Sequence, residues 1–457
     1  MNGPAPHLPR LQPYDIGHER YVALLHPETA FWSLVDKDRV EAELVGSDLA
    51  ERFLAQSEQF AKEIHALRFE LKPSGVYVNP TERCNLDCTY CYLPDRLRRH
   101  GDDMPAERLL GALQRLKDYF ATVMEGGEGS RKPRLIFHGA EPLMNREAVF
   151  AAIDLFRDDF AFGVQTNGTL LTEGAADFLM QRNVSIGLSL DGPTAPITNA
   201  TRHTWAGQGV HQHVLRAMER LKGYGSWSVI TTCTTENLAY LTDMVELFHR
   251  HEVPTCMLNA VRCTLSGARG VKPADGDFAR AFIAALERTH ELYRETGRKL
   301  VVANFANILL AILAPTARRL MCDISPCGGG RAFFALAADG GLFPCSEFIG
   351  LPAFEGGNLF ADGGVAAALE SPAFKTVTER DVDKFDPCGT CPIRHFCGSP
   401  CPAEANEMNG GMDRTGAFCQ FYEEQVRYAL RLIADGKSDD FLWDGWDEGT
   451  EAVFSAC

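Results

Sequence analysis

The loop Cys84-Asn85-Leu86-Asp87-Cys88-Thr89-Tyr90-Cys91 concentrates the chain's most reactive residue type, with three cysteines in a C-x3-C-x2-C spacing. A [4Fe–4S] cube contains four irons, so three thiolates leave one iron open to a small molecule. Purely structural zinc and iron–sulfur sites instead complete their coordination with four protein ligands. The spacing therefore predicts a reactive cluster, with a zinc loop as the alternative.

Eight further cysteines lie between residues 322 and 419, where the composition shifts to Gly, Pro and Cys. Eight thiolates suffice for two fully ligated [4Fe–4S] clusters. Two zinc sites are the alternative, because four-cysteine zinc sites use similar C-x2-C spacings. The eight are Cys322, Cys327, Cys345, Cys388, Cys391, Cys397, Cys401 and Cys419.

Four cysteines remain outside these two groups. We expect Cys233, Cys256 and Cys263 to pack in the core as small apolar side chains, with Cys263 the one most inclined to face a cavity. Cys457, the last residue, is expected to be a mobile thiol.

Composition excludes several functional classes. Net charge is −16, with 61 acidic against 45 basic residues, which disfavours a nucleic acid partner because phosphate binding needs clustered cations. The longest apolar stretch, Ile308 to Ala314, is far shorter than the roughly 20 residues of a membrane span. The N-terminus has no signal-peptide pattern. Fifteen cysteines then indicate metal ligation in a reducing compartment, and we expect a cytoplasmic protein.

Short apolar runs alternate with amphipathic stretches from about residue 75 to 295, which predicts parallel β-α units. Six such units predict an α/β fold with a partial (β/α)6 TIM-type barrel, whose chemistry lies at the carboxyl ends of the strands. We divide the chain into an N-terminal α+β module (1–70), the barrel (71–300), a Cys-rich region (301–435) and an acidic tail (436–457). The predicted strands are Val76–Val78, Leu135–His138, Phe162–Gln165, Val184–Leu190, Val229–Cys233 and Thr255–Leu258.

Polar loops follow four successive strands of this set. They contain the cysteine loop, then His138-Gly139-Ala140-Glu141-Pro142, then Thr166-Asn167-Gly168, and finally Ser189 with Arg202 shortly after it. Each loop alone could be an ordinary turn. Together, in this order, they predict one site at the mouth of the barrel.

The loops resemble those of the radical SAM family, in which the open iron binds S-adenosylmethionine and its reductive cleavage yields a 5′-deoxyadenosyl radical. The resemblance covers residues from about 75 to 425. It implies that Glu141 contacts the cofactor. The further contacts that it implies are Tyr90, Gly139, Thr166, Asn167, Ser189 and Arg202.

The C-terminal cysteines are similar to those of the SPASM extension found on peptide-modifying radical SAM enzymes. The resemblance implies one cluster on Cys322, Cys327, Cys345 and Cys401, and another on Cys388, Cys391, Cys397 and Cys419. It also implies three [4Fe–4S] clusters in all, a precursor peptide as substrate, and a reductant such as flavodoxin or ferredoxin. The N-terminal module is compatible with peptide capture by strand addition, and equally with a lid or a packing extension.

Two departures from the family pattern bear on the reaction. Asn199 stands where the family commonly has Asp, three residues before Arg202. Ser346 stands where anaerobic sulfatase maturases have the aspartate base, and Glu347 follows it. We expect a carboxylate at 347 to point elsewhere, which disfavours formylglycine formation, although Glu347 and His138 remain candidate catalytic residues.

Two rival interpretations of the same residues stay open. The chain could be a non-catalytic iron–sulfur or zinc scaffold that binds peptides, which predicts no cleavage of S-adenosylmethionine. It could also be a radical SAM enzyme that acts on a small metabolite, which predicts no peptide binding.

Overall fold

A small antiparallel sheet begins the chain in this computed structural model, which describes residues 10–44, 48–124, 131–398 and 401–447. Its strands are β1 (Gln12–Tyr14), β2 (Tyr21–His26) and β3 (Phe31–Asp36), in that order. Helices α1 (Val40–Leu44) and α2 (Asp48–His65) follow. Phe53 of α2 packs edge-on against Phe31, with 5.1 Å between ring centroids, and this contact fixes α2 on the sheet.

A second, larger sheet forms the body of the protein. Its parallel strands occur in chain order, so each connection returns over a helix to pair the next strand beside the last. All six predicted strands are confirmed, and a short seventh extends the series. They are β4 (Gly75–Val78), β5 (Arg134–Phe137), β6 (Ala161–Thr166), β7 (Ser185–Ser189), β8 (Trp227–Cys233), β9 (Thr255–Ala260) and β10 (Val301–Val302).

The connecting helices form because apolar residues recur at helical spacing and face the sheet. The helices of this region are α3 (Asp95–His100), α4 (Ala106–Val123), α5 (Arg146–Phe156), α6 (Glu173–Gln181), α7 (Ala195–Thr201), α8 (His211–Leu221), α9 (Leu241–Arg250), α10 (Ser266–Gly270), α11 (Asp275–Thr296) and α12 (Ala303–Leu313). In α4, Leu109, Leu113, Leu116 and Phe120 are all buried. α6 begins at Glu173 because the Thr172 hydroxyl caps it, accepting the Ala175 N–H at 3.3 Å.

The Cys-rich region contains more regular structure than its composition indicates. Strand β11 (Phe333–Leu336) pairs in parallel with β4 on the side opposite β5, and β12 (Gly341–Phe343) and β13 (Gly357–Asn358) continue antiparallel. Across the described residues the sheet therefore has ten strands, in the order β10-β9-β8-β7-β6-β5-β4-β11-β12-β13. The Gly-, Pro- and Cys-rich composition did not indicate this extension of the sheet, which forms because the four residues of β11 are apolar and wholly buried.

The β11–β12 turn depends on a glycine. Gly340 has φ +90°, and a Cβ placed there would lie 2.8 Å from the Asn358 Oδ1 atom. The helices of this region are α13 (Gly364–Leu369), α14 (Pro372–Thr378), α15 (Arg394–Cys397), α16 (Pro402–Asn409) and α17 (Cys419–Ala434).

Helix α17 joins the Cys-rich region to the barrel. The Phe421 ring of α17 stacks on Phe278 of α11, with centroids 3.8 Å apart. The predicted fold class is confirmed, whereas the domain boundaries stay predictions. In the part of the chain that the structure describes, no helix is both long and apolar enough to cross a membrane.

Core packing of α4 gives a first test. Leu113 is fully buried, so Leu113→Ala should lower the free energy of unfolding by about 2–5 kcal/mol. The matched control is Leu155→Ala on α5, where the leucine is 62% exposed and the expected change is under about 0.5 kcal/mol. Anaerobic urea denaturation of both variants measures the difference. Equal midpoints would show that α4 does not contribute to the core in this way.

Candidate active site

The carboxyl ends of the barrel strands open onto a cavity of about 360 Å³. Residues from β6, β7, β8 and β9 line it, as do the cysteine loop after β4 and parts of the Cys-rich region. Two groups of cysteines border this one cavity. They are the three cysteines of the loop after β4 and the C-terminal set Cys322, Cys327, Cys345 and Cys401. The two groups are separated by more than 200 positions in sequence and meet here because β11 pairs with β4.

Backbone hydrogen bonds anchor the three-cysteine loop on both sides. The Cys84 N–H donates to the Arg98 carbonyl at 2.9 Å, and the Thr89 N–H donates to the Thr201 carbonyl at 3.0 Å. The Arg98 guanidinium is buried and donates back to the carbonyls of Leu86 and Leu93. The loop is thus held in one conformation before any metal is considered.

The surroundings of the three sulfurs fit thiolates bound to iron. Burial raises the pKa of the Cys88 thiol to about 11, although the Arg202 charge lowers it. A thiolate there therefore needs further positive charge, which cluster iron would supply. Donors already point at the sulfurs, since the Leu86 N–H lies 3.4 Å from the Cys84 Sγ and the Arg202 Nη1 lies 3.9 Å from the Cys88 Sγ.

The Glu141 carboxylate is surrounded by hydrogen-bond donors. Its carboxylate is wholly buried and accepts hydrogen bonds from the Thr166 hydroxyl (2.8 Å), the Asn167 N–H (2.8 Å) and the Leu143 N–H (3.1 Å). Burial raises the pKa of Glu141, while these bonds lower it. Gly139 permits the turn, because its φ is +93° and a Cβ would lie 2.2 Å from the Asn79 Cγ.

Sequence analysis missed the role of Asp191, which bonds to two cavity-lining residues, Tyr90 and Arg202, without bordering the cavity itself. This fully buried carboxylate accepts the Arg202 Nε at 2.9 Å, the Thr232 N–H at 2.9 Å and the Tyr90 hydroxyl. Tyr90 and Arg202 are therefore joined through one group. An acidic residue in the turn directly after β7 was the available signal.

Glu141 itself does not border the cavity, whereas the remaining predicted cofactor residues do. Thr166, Asn167 and Ser189 line it together with Gly139, Tyr90 and Arg202. Asn199, the departure from the family pattern, has a local structural role. Its side-chain oxygen accepts the Val210 and His211 N–H groups at 2.9 and 3.3 Å, at the start of α8.

The predicted division of the eight C-terminal cysteines into two sets is only partly supported. The negative charge of a Cys322 thiolate would interact with Cys327, Cys345 and Cys401, which is the first predicted set. In the second set Cys419 interacts with Cys391, whereas Arg380 interacts with Cys388 and Cys397 and also with Cys327 and Cys401, and so does not separate the sets. No group of three or more His, Cys, Asp or Glu in the described ranges could hold a single metal ion. A [4Fe–4S] cube binds each thiolate through a different iron, so its cysteines need not converge on one point. The absence of a single-ion site therefore does not bear on a cluster.

Two candidate catalytic side chains reach the same cavity. Burial raises the pKa of Glu347 to about 7, while Arg262 lowers it from 4.0 Å away. Burial also lowers the pKa of His138 to about 4, so the imidazole is neutral at pH 7, and its Nδ1 lies 3.4 Å from the Tyr92 hydroxyl. The expectation that Glu347 points elsewhere was wrong, because it lines the cavity beside Ser346.

The three unassigned barrel cysteines are buried in the core, as predicted. Cys233, Cys256 and Cys263 all have zero exposure. Cys263 does not line the cavity, contrary to the expectation for that residue, and its thiol donates to the Val261 carbonyl at 3.8 Å. Cys457 lies outside the described residues.

An open parallel α/β sheet with a three-cysteine loop after its first barrel strand defines the class of this protein. Residues 78–248 match the radical SAM superfamily. The chain is also 38% identical over 427 residues to an uncharacterised protein of Archaeoglobus fulgidus, covering 93% of this chain and 95% of that one. The chain belongs to the radical SAM superfamily.

More distant similarities concern enzymes with named activities. The chain is 23% identical over 384 residues to the cysteine-type anaerobic sulfatase-maturating enzyme of Clostridium perfringens, covering 79% of this chain and 98% of that one. The fold is similar to native anSMEcpe with bound AdoMet and Cp18Cys peptide (TM-score 0.68, 21% identity, 80% and 99% coverage). It is also similar to Streptococcus suis SuiB bound to precursor peptide SuiA (TM-score 0.58, 12% identity, 87% and 97% coverage).

The Asp191–Arg202 pair gives a second test. Asp191→Asn would leave the buried guanidinium without its countercharge, and breaking such a pair costs about 3–5 kcal/mol. Asp154→Asn is the control, because it breaks the Arg182 pair where the carboxylate is 49% exposed. Anaerobic denaturation should show a large loss for the first and under about 1 kcal/mol for the second. Similar losses would contradict the importance given to Asp191.

Proposed function

We propose that this radical SAM enzyme modifies a ribosomally made precursor peptide, installing a thioether, a carbon–carbon cross-link or a related change. The observation that carries the proposal is the single cavity bordered by the three-cysteine loop and by four C-terminal cysteines. The proposed cofactors are three [4Fe–4S] clusters and S-adenosylmethionine. Of the three, only the cluster on Cys84, Cys88 and Cys91 would lack a fourth thiolate.

When bound, the open cluster and S-adenosylmethionine supply reductive cleavage to a 5′-deoxyadenosyl radical, which abstracts hydrogen from the substrate. The chain's own residues hold and orient the reactants. Glu141 would hold the cofactor's amino group, and the Arg202 guanidinium would hold its carboxylate. Thr166, Asn167 and Ser189 would hold the ribose, while Tyr90 and Gly139 would shape the loops around it.

Glu347 is the proposed proton acceptor. Its carboxylate lines the cavity, and a pKa near 7 suits a general base at neutral pH. His138 is neutral, so we assign it a structural and orienting part beside Tyr92. Both side chains are half-buried at the cavity, which limits the contact of a reactive substrate with bulk water.

A peptide substrate is supported by the fold comparisons, because one similar structure carries a bound peptide and another a precursor peptide. The N-terminal sheet offers a means of capture. Within the described residues β3 pairs only with β2, so its other edge can accept a strand from a leader peptide. An enzyme acting on a small metabolite would not use this edge.

Formylglycine formation is the second candidate function. The similarity to a named sulfatase-maturating enzyme favours it, and Glu347 supplies a carboxylate at the cavity even though Ser346 replaces the family's aspartate. We also propose a cytoplasmic location and an external reductant such as flavodoxin or ferredoxin, because exposed thiolates and reduced clusters need a reducing compartment. The proposal includes neither a nucleic acid nor a membrane partner.

Removing the open cluster separates the enzyme from a non-catalytic scaffold. A C84A/C88A/C91A variant should form no 5′-deoxyadenosine after dithionite reduction and should keep roughly two-thirds of its iron, since two of three clusters remain. Cys233→Ala, at a buried core cysteine, should keep full iron and activity. If the wild-type protein failed to cleave S-adenosylmethionine, that result would favour the non-catalytic scaffold.

Coexpression identifies the substrate class. Peptides encoded beside the gene, produced together with the enzyme, should lose two mass units per cross-link or thioether formed. A formylglycine product instead carries an aldehyde that reacts with hydrazides, which distinguishes the second candidate. An unchanged mass in every peptide would contradict peptide modification.

A further inference from the structure

A second cavity, of about 660 Å³, opens at the amino ends of the barrel strands, opposite the candidate active site. None of the described residues that line it also lines the active-site cavity. It is therefore a separate space, outside the region that the proposed clusters and S-adenosylmethionine would occupy. The first residues of five strands line it, and they are Arg134, Ser185, Trp227, Thr255 and Val301.

Small polar side chains point into this end of the barrel. Alternate residues of a strand share a face, so Ser228 of β8 points to the same interior as Thr232, which lines the active-site cavity. Ser185 of β7 has the same relation to Ser189. A closed barrel fills such positions with bulky Val, Ile and Leu side chains. Here serines leave the interior hollow and line it with hydroxyl groups.

The Ser228 hydroxyl has unused hydrogen-bonding capacity at this cavity. Ser228 is 2% exposed, and its Oγ has no hydrogen-bond partner within the described residues. A buried hydroxyl without a partner is destabilising, because it has lost its bonds to water. The neighbouring Ser185 hydroxyl, by contrast, donates to the Phe162 carbonyl at 3.3 Å. Since Ser228 lines the cavity, a bound molecule can supply the bond that its hydroxyl lacks.

Positive charge surrounds the same cavity. Among the described residues that line it, four are cations and two are acids, whereas the whole chain has a net charge of −16. Each acid already has a cationic neighbour, with Glu252 3.5 Å from Lys222 and Asp444 2.7 Å from Lys299. A cavity of net positive charge attracts anions. The cations are Arg134, Arg298, Lys299 and Arg319.

A segment near the C-terminus forms one side of the cavity mouth. The Lys299 ammonium donates to the Leu442 carbonyl at 3.2 Å, which holds the adjacent Trp443 in place. The Trp443 indole N–H donates to the Thr255 hydroxyl at 3.3 Å. The Arg319 guanidinium lies over the Trp443 ring, 4.1 Å from its centroid. Arg319 is thus positioned at the rim of the cavity by an aromatic contact.

We propose that this cavity binds a phosphate group, with Arg134 and Arg319 as its cationic contacts and the Ser228 hydroxyl as a neutral donor. Arg134 begins β5, four residues before His138 of the active-site cavity, so its side chain points into the barrel. Guanidinium groups match phosphate oxygens in geometry and carry the opposite charge. Two cations in excess suit a group that is close to doubly charged at pH 7. The site goes beyond the proposed function, because it lies at the other end of the barrel and needs no cluster.

Ser228→Ala separates binding from folding. The variant removes a buried hydroxyl that lacks a partner, so its stability should equal or exceed that of the wild type. Its affinity for inorganic phosphate should nevertheless fall at least threefold. Arg134→Gln should weaken phosphate binding at least tenfold, because it removes a charge-assisted bond. Anaerobic isothermal titration calorimetry and urea denaturation of the full chain measure affinity and stability.

Thr264→Val is the matched control. Thr264 is likewise buried, at 4% exposure, and its hydroxyl has no partner in the part of the chain that the structure describes. It does not line the second cavity. The affinity for inorganic phosphate should therefore be unchanged in this variant. A loss equal to that of Ser228→Ala would overturn the proposal, because it would show that the effect does not depend on the cavity.

Two further probes distinguish the source of the phosphate group. A higher affinity for glycerol 3-phosphate than for inorganic phosphate would identify a phosphate ester as the ligand, and otherwise the free ion is the ligand. Glycerol, which lacks the charge, should not bind. The proposal is overturned if neither phosphate probe binds, or if Ser228→Ala and Arg134→Gln bind both as tightly as the wild type. Formation of 5′-deoxyadenosine, measured separately, should be the same in Ser228→Ala and in the wild type, so either result leaves the proposed function standing.

Discussion

Buried charge at the carboxyl ends of parallel strands is the constraint on which the rest of this structure depends. Asp191 and Arg202 have lost nearly all contact with solvent, so each needs the other, and Asp191 also holds Tyr90 within the three-cysteine loop. Glu141, likewise wholly buried, meets the same requirement with three donors. Such compensated groups cannot shift independently, and the walls of the cavity are therefore preorganised for a charged ligand.

The pairing of β11 with β4 determines what faces that preorganised site. Cysteines more than 200 residues apart border one cavity because the Cys-rich region adds strands to the barrel sheet. A region held only by metal would lose this placement when the metal is lost. Here the backbone ladder and the buried side chains of β11 fix the loop that carries Cys345 independently of iron.

Much of this arrangement could be predicted from sequence. The strands β4 to β9 are short apolar runs between amphipathic helices, and the loops after them contain Glu141, Ser189 and Arg202 in order. Contact between distant residues could not be predicted in the same way. The sequence of β11 is four apolar residues, and its pairing partner becomes evident only when the structure shows the free edge of β4. Asp191 has the sequence context of an ordinary turn residue, and its role becomes evident only from its contacts with Arg202 and Tyr90.

Glu347 shows why residue identity at one position is a weak guide to chemistry. Ser346–Phe348 forms a single 3-10 turn, in which successive side chains project about 120° apart. An acidic residue moved by one position therefore changes direction, and on an open surface it would miss the site. Here the turn lies inside a cavity wall, so Ser346 and Glu347 both border the cavity. Ser346 thus places a hydroxyl beside the Cys345 sulfur, and Glu347 places a carboxylate at the same cavity. A cavity that encloses the turn makes this possible, because side chains that leave the turn in different directions still border the cavity.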